Sequence, residues 1–389
     1  MNAPKVKIMS VVGARPNFMK IAPLVHELAR FPDRFDHLLV HTGQHYDATM
    51  SDAFFRDLNI PAPDVHLEIG SGSHAEQVGR TMIAFEKVVQ QHRPDWVIVV
   101  GDVNATCACS ITAKKEHVKL AHIEAGLRSF DLEMPEEINR MVTDRLSDLL
   151  FTTDALADAN LLKEGVPENR IRRVGNIMID TLERQRARAA ALNPEAIAAE
   201  QVLPGLCAPT PPLRDNTFAV LTLHRPSNVD QAAVMTPLVE FLTQDVAALM
   251  PLIWPVHPRT RQQLEHHGLW KDLTSCPGLI LTRPLGYHDM LRLTMGARVM
   301  LTDSGGLQEE CCVLGTPCLT LRWNTERPVT LVEHGGVSVL VGNDVQQIRA
   351  EFRKAAERPR TEHRPPLWDG CTAERIVACL RELGQGSSL

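Results

Sequence analysis

Residues 302 to 310 read Thr-Asp-Ser-Gly-Gly-Leu-Gln-Glu-Glu. They follow an apolar run, Ala297 to Leu301, that reads as a buried strand, and they open an apolar segment, Leu307 to Leu314, that reads as a helix. A strand feeding a helix through Ser304-Gly305-Gly306 makes an anion seat: glycine lets the backbone approach closely, and the first turn of a helix offers unbonded N–H groups. Glu310 lies one turn beyond Gly306, with its side chain leaning back toward the seat. A carboxylate there accepts hydrogen bonds from neutral hydroxyls, so a diphosphate joined to a ribose suits the layout. The plain alternative is a tight turn with an exposed glutamate.

Other chemistry-bearing residues also sit just past apolar runs. The first strand runs into Gly13-Ala14-Arg15-Pro16-Asn17-Phe18-Met19-Lys20. Asn17 is placed to cap the helix that follows. Arg15 and Lys20 oppose the helix dipole there, which makes sense beside an anion and is otherwise a solvated surface pair. Gly101-Asp102 ends one strand, and His122-Ile123-Glu124-Ala125-Gly126-Leu127-Arg128 ends the next. Pro135 suits the first turn of a helix carrying Glu136 and Arg140 at i, i+4, where a helical ion pair is the bland outcome. Asp102, Glu124 and Glu136 are expected on one rim, where mutual repulsion suits acid/base work. Further along, Thr222-Leu223-His224-Arg225-Pro226, Pro255-Val256-His257-Pro258-Arg259, Arg322 and Glu326-Arg327-Pro328 repeat the pattern, although any one histidine or arginine is ordinary surface polarity by itself.

The elements that must position these residues alternate. Val6–Val12, 38–41, Trp96–Val100, 120–123, 149–151 and 172–174 read as strands, with helical stretches at 18–31, 75–91, 105–116 and 136–146 between them. Such alternation implies a parallel sheet covered on both faces. It pauses over 183–216, rich in alanine and proline, and restarts with strands at 218–223, 252–256, 279–281, 299–301, 318–321 and 338–341. The expected architecture is therefore α/β, with two doubly wound Rossmann-like domains facing a cleft. The N-terminal domain spans 1–185 and carries the carboxylates. A linker follows at 186–216, then a C-terminal domain at 217–369, and a final helix in 370–389 is free to join the first domain. Ligands in such folds bind outside the carboxyl ends of the strands.

Bulk properties narrow the function. With 389 residues, two domains are expected. A net charge of −6, from 41 basic and 47 acidic residues, argues against a general nucleic-acid binder. The polar first residues lack a signal-peptide core, and no run reads as a membrane span, so a soluble cytoplasmic protein is expected. The nine cysteines show no zinc spacing, which fits reduced thiols and no metal. His41, His45 and His74 lack the one-face pairing of a helical zinc site. Gly70-Ser71-Gly72-Ser73-His74-Ala75 fits a loose dinucleotide fingerprint but follows the wrong strand, so a helix-entry loop is expected there and no cofactor is assigned.

Taken together, these stretches resemble the bacterial UDP-N-acetylglucosamine 2-epimerases of the non-hydrolysing type, from about residue 5 to about residue 385. Gly43-Gln44-His45, Gly175-Asn176 and Thr325-Glu326-Arg327-Pro328 join the blocks above in family order. The resemblance implies a fold like the B-type glycosyltransferases, a homodimer, a UDP-sugar substrate, and interconversion of N-acetylglucosamine with its manno epimer at C2. No carbonyl flanks that carbon, and no sound NAD fingerprint is present. The remaining route is loss of UDP from C1, giving a 2-acetamidoglucal, then re-addition with the proton on the opposite face.

By the same resemblance, Asp102, Glu124, Glu136 and His224 carry the chemistry, with Asp102 as the C2 base. Arg15, Lys20, Arg140, His257 and Arg327 flank the substrate, Ser304, Gly305 and Gly306 hold phosphate, and Glu310 holds the ribose. Some members bind a second substrate molecule as an activator, for which Gln44, Arg80, Glu136 and His257 are retained. This chain departs from common members at Pro226-Ser227, Val103-Asn104-Ala105 and Tyr46. The rival readings are a hydrolysing epimerase, a 2-epimerase of a UDP-diacetamido sugar, a B-type glycosyltransferase and a non-catalytic nucleotide-sugar sensor.

Overall fold

The computed structural model describes residues 5–43, 58–204, 206 and 213–383. Gln44 and His45 lie outside the described residues, as do the side chains of Arg15 and Pro16. The chain divides into two compact units, Met1–Thr181 with Pro365–Leu389, and Leu182–Arg364.

The first unit holds a seven-stranded parallel sheet: β1 (Val6–Val12), β2 (Phe35–His41), β3 (Val65–His66), β4 (Trp96–Val100), β5 (Lys119–Ala125), β6 (Leu149–Thr152) and β7 (Ile171–Arg173). Its order is β3-β2-β1-β4-β5-β6-β7, so the chain reverses direction across the sheet between β1 and β4. The central strand β4 is an unbroken apolar run because helices cover both faces, and all five of its residues are buried. Helices His74–His92, Asn104–Lys115 and Pro135–Leu146 pack side by side, and Arg15–Leu28 packs with the C-terminal helix Thr372–Leu383.

The second unit repeats the plan with β8 (Ala219–Thr222), β9 (Leu252–Pro255), β10 (Leu279–Thr282), β11 (Val299–Thr302), β12 (Cys318–Thr320) and β13 (Ser338–Leu340). The order β10-β9-β8-β11-β12-β13 places its reversal between β8 and β11. All strand pairs named here are parallel.

Three expectations are corrected. Residues 183–216, expected as a helix followed by a linker, hold a second helix as well. Helices Ile177–Ala190 and Pro194–Gln201 occupy much of this stretch, and Ile197, Ala198 and Leu213 lie in the second unit's core. Pro194 sits at a first helical turn, where proline is tolerated because that N–H has no intrahelical partner. Asn17 is not the N-cap; Ala14 is, and Asn17 reaches back from the first turn to accept from the Ala14 N–H at 3.0 Å. One helical run, Ala232–Leu249, is apolar and long enough to cross a membrane by length and composition. Its Met235, Leu238, Val239, Phe241, Leu242 and Val246 are buried in the second unit's core, as in a core helix of a globular unit.

Candidate active site

In a doubly wound sheet, the loops leaving the strands on either side of the reversal diverge and open a crevice. In the first unit those are the loops after β1 and β4. Asn17 ties them together: its Nδ2 donates to the Val100 carbonyl at 2.9 Å while its Oδ1 accepts from Ala14. Gly101 follows with φ +66°, and a Cβ there would meet Lys20 Nζ at 3.1 Å. Asp102 comes next, half-buried, and accepts from Arg140 Nε (3.0 Å) and Nη2 (2.9 Å). The buried Arg140 also pairs with Glu137, one turn earlier on its helix. Glu137 is fixed in turn by the N–H groups of Ser129 (3.0 Å) and Phe130 (2.9 Å). Asn139, on the same helix, donates to the Asp102 carbonyl at 2.9 Å. The Asp102 turn is thus held through both side chain and backbone.

Glu124 stands at the end of the adjacent strand β5. Its pairing with β6 shifts register between Ile123 and Ala125, and Glu124 itself has φ +71°. A non-glycine residue in that region costs about 1–3 kcal/mol and persists only where the surroundings impose it. Here the buried carboxylate forms an ion pair with the equally buried Lys20. Its Oε1 is buried with no hydrogen-bond partner among the described residues. Two residues earlier, buried His122 lies within hydrogen-bond reach of Asp144 Oδ1 through Nδ1 (2.6 Å) and of the Gly101 carbonyl through Nε2 (2.9 Å). Asp144 is buried, which pushes its carboxyl up, but His122 and Arg128 outweigh this and hold it below the usual range. Glu136 lies in the first turn of Pro135–Leu146, the helix that carries Arg140. The expected convergence of Asp102 and Glu124 therefore rests on neighbouring strand ends, with Glu136 at the start of the helix that clamps Asp102.

The second unit builds its crevice from the loops after β8 and β11. The register pairs Thr222 with Thr302, and their hydroxyls lie 2.6 Å apart. His224 follows one strand and Asp303 the other, with Asp303 Oδ1 2.8 Å from His224 Nδ1. The ring of His257 lies 6.2 Å from that of His224. His257 also caps the helix Pro258–His266, accepting from the Arg259 N–H at 3.3 Å. Ser304 is the N-cap of helix Gly305–Leu314, and its own side chain makes no cap bond. Gly305 and Gly306 open this helix, so their N–H groups fall in its first turn, where such groups have no intrahelical partner.

Beneath this turn lies a buried ion network. Arg327 bonds Glu309 at 2.7 Å and pairs with Glu326, which also holds Arg322 at 2.6 Å. A Cβ on Gly305 would meet Arg327 Nη1 at 2.6 Å and Glu326 Oε1 at 2.8 Å, so a side chain there would have to displace that ion pair. Glu310 is buried beside Tyr287. Burial pushes its carboxyl up to about 7, the Tyr287 hydroxyl pulls it down, and Glu309 pushes it further up.

Lys20, Arg140 and Arg327, expected at the substrate, each hold carboxylates of their own unit. Arg80 bonds the Ser71 carbonyl (2.9 Å) in the loop before His74–His92, whose N-cap is Ser73, so the Gly70–Ala75 stretch is a helix-entry loop. His41 meets His66 (3.4 Å) and His74 meets Asn104 (3.3 Å). Among the described residues, no group of three His, Cys, Asp or Glu could hold a metal. Sequence reasoning missed Glu137, Glu309 and Asp303 as site-builders. Only the position of Asp303, directly after a buried strand, signalled it.

The model of the UDP-N-acetylglucosamine 2-epimerase family matches residues 26–381. A UDP-N-acetylglucosamine 2-epimerase of Methanocaldococcus jannaschii is 38% identical over 377 residues, covering 96% of this chain and 99% of that protein. A UDP-2,3-diacetamido-2,3-dideoxy-D-glucuronate 2-epimerase of Pseudomonas aeruginosa is 39% identical over 380 residues, covering 97% and 100%. The crystal structure of the M. jannaschii enzyme in complex with UDP-GlcNAc and UDP superposes with a TM-score of 0.86 at 37% identity, covering 97% and 100%.

Proposed function

The chain belongs to the UDP-N-acetylglucosamine 2-epimerase family, and we propose that it interconverts UDP-N-acetylglucosamine and UDP-N-acetylmannosamine. The observation that carries this reading is the pair of carboxylates on adjacent strand ends, Asp102 and Glu124, each held by its own buried cation. Two acid/base groups fixed side by side suit proton removal and return at one carbon.

The C2 proton of the sugar is not acidic in the ground state. Departure of UDP from C1 leaves positive character there, which acidifies C2–H. Asp102 takes that proton, leaving a 2-acetamidoglucal and UDP. Delivery of a proton to the other face of C2 with return of UDP to C1 gives the epimer. Glu124, Glu136 and His224 serve as the further acid/base groups. Arg140 and Lys20 act by aiming Asp102 and Glu124, and Arg15 adds a cation at the start of the first helix. Ser304, Gly305 and Gly306 take the diphosphate, His257 flanks it, Arg327 supports the glycine turn, and Glu310 accepts from the ribose hydroxyls. Stabilisers aimed at developing charge contribute about 10²–10³ in rate each.

The P. aeruginosa relative, as similar as the others over its full length, favours one second reading: a UDP-2,3-diacetamido uronate as the substrate. NMR in D₂O separates the readings. Deuterium at C2 with a UDP-linked manno product from UDP-N-acetylglucosamine supports the first. Exchange only with the diacetamido sugar supports the second. Free N-acetylmannosamine identifies a hydrolysing enzyme, and absence of C2 exchange with either sugar leaves a B-type transferase.

We also propose a homodimer, since Phe130, Leu132, Ile138 and Met141 expose apolar side chains around the start of one helix; light scattering tests it. The eight described cysteines are all free, which supports a reducing, cytoplasmic setting.

A further inference from the structure

Asp303 is fully buried, and its two oxygens have different work. Oδ2 accepts from the N–H of His224 (3.0 Å), the N–H of Arg225 (2.9 Å) and Nδ2 of Asn228 (3.1 Å). These three donors anchor the carboxylate to the loop and short helix that follow β8. Arg225 Nε adds a bond to the Asp303 carbonyl at 3.0 Å. Oδ1 is left facing His224 Nδ1 at 2.8 Å. A purely structural carboxylate would be satisfied by the donors on Oδ2. Oδ1 makes no aligned hydrogen bond among the described residues, and the imidazole is the group it faces.

The His224 side chain is 47% exposed, so one edge of the ring is buried against Asp303 and the other is open. The contact is at ion-pair distance without an aligned hydrogen bond, yet a carboxylate oxygen has no proton to offer and two lone pairs 2.8 Å apart repel, so Nδ1 carries the proton that faces it. In the neutral ring, Nε2 is then an unprotonated acceptor on the open edge. The parallel pairing of β8 with β11 holds this arrangement in register, because Thr222 and Thr302 are partners and each residue of the dyad lies just beyond them.

We propose that Asp303 is a positioning residue for His224, fixing the Nδ1–H tautomer and ring orientation so that Nε2 is the atom presented to substrate. The proposal rests on the assignment of His224 as an acid/base group.

The substitution Asp303→Asn discriminates sharply. The three donors at Oδ2 require an acceptor, so the amide oxygen takes that place and the NH₂ group faces Nδ1. The ring must then accept at Nδ1 and carry its proton on Nε2, the wrong tautomer for a base. Full-length protein labelled with ¹⁵N-histidine, at a pH above the usual histidine range, reports the tautomer directly, with His224→Gln assigning the signal. The expected wild-type spectrum shows Nδ1–H and unprotonated Nε2, and Asp303→Asn reverses it. Turnover of Asp303→Asn should fall about 10²–10⁴-fold, as for loss of a general acid or base, with UDP affinity and melting temperature little changed. The double variant should be no slower than His224→Gln alone.

A wild-type Nε2–H tautomer overturns the proposal without any variant. So does Asp303→Asn turnover within a few-fold of wild type while His224→Gln is inactive, or a double variant whose losses multiply. If His224→Gln itself retains turnover, the assignment of His224 fails instead, and the tautomer spectrum still decides what Asp303 does.

Discussion

At the β1/β4 reversal of the first unit, cations serve carboxylates: Lys20 holds Glu124, and Arg140 holds Asp102. At the β8/β11 reversal of the second, a carboxylate serves a histidine, and Glu309 and Glu326 neutralise Arg327 beneath a helix N-terminus. The topology is shared, yet the exposed group differs in kind. The first crevice presents acids and bases, and the second presents N–H donors and an imidazole. Arginine lies close to the loop in both but is committed to neighbouring carboxylates. In a buried setting, an unpaired charge costs several kcal/mol, so the carboxylates of Asp102 and Glu124 are each matched by a buried cation. The difference teaches that the reversal supplies a location and the residues after each strand supply the chemistry.

The sharpest way to break this comparison is to alter the first crevice and watch the second. Asp102→Asn should lower turnover about 10³-fold, within the range for loss of a general base, while UDP affinity by calorimetry changes less than about threefold. A collapse of UDP binding would mean that the units do not divide the work as proposed.

A somewhat smaller effect is expected from Glu310. Its folded-state value is raised from 4.5 to about 7, chiefly by burial, so the fold favours the protonated acid. That stabilisation is complete below about pH 4.5 and is lost as pH rises through about 7, amounting to on the order of 3 kcal/mol. Melting curves between these limits should show wild type losing stability relative to Glu310→Gln, whose amide does not titrate. Parallel curves would show that the carboxyl is better solvated than its burial implies.

The smallest of the three concerns the glycine turn. Gly305→Ala would drive a methyl against Arg327 and should weaken UDP about 30-fold, roughly 2 kcal/mol, with little loss of the acid/base function seen at saturating substrate. Unchanged UDP affinity would remove the phosphate from this turn.

Much of the fold was legible because strands covered on both faces are rich in apolar, β-branched residues. Val6–Val12 and Trp96–Val100 match the expected bounds, whereas Lys119, Thr152 and Thr302 extend their strands beyond them, since polar termini hide the ladder. The two-residue strand Val65–His66 has too little pattern to show. The stretch 183–216 reads as a helix followed by a linker, and its alanine and proline hide the second helix, Pro194–Gln201, whose Ile197 and Ala198 enter the core. The glycine seat and the strand-end acids could be read locally. Asp303 with His224, Glu124 with Lys20 and Asp102 with Arg140 could not, because each pairs residues far apart in sequence, and only the strand order determines which loops become neighbours.

One feature of β5 reaches further than its size. Side chains two apart on a regular strand share a face. His122 and Glu124 do not behave so: His122 meets Asp144 on Pro135–Leu146, and Glu124 meets Lys20 on Arg15–Leu28. Right-handed crossovers on the two sides of the sheet reversal put those helices on opposite faces. The bulge at Glu124 makes the change of face, so the carboxylate's address is set by a count of backbone atoms. Changing the side chain at 124 alters the acid, whereas removing one residue at the bulge would send the same acid to the other side of the sheet. Exchanges of chemistry at this site are therefore open to substitution, and its location can be moved only by insertion or deletion.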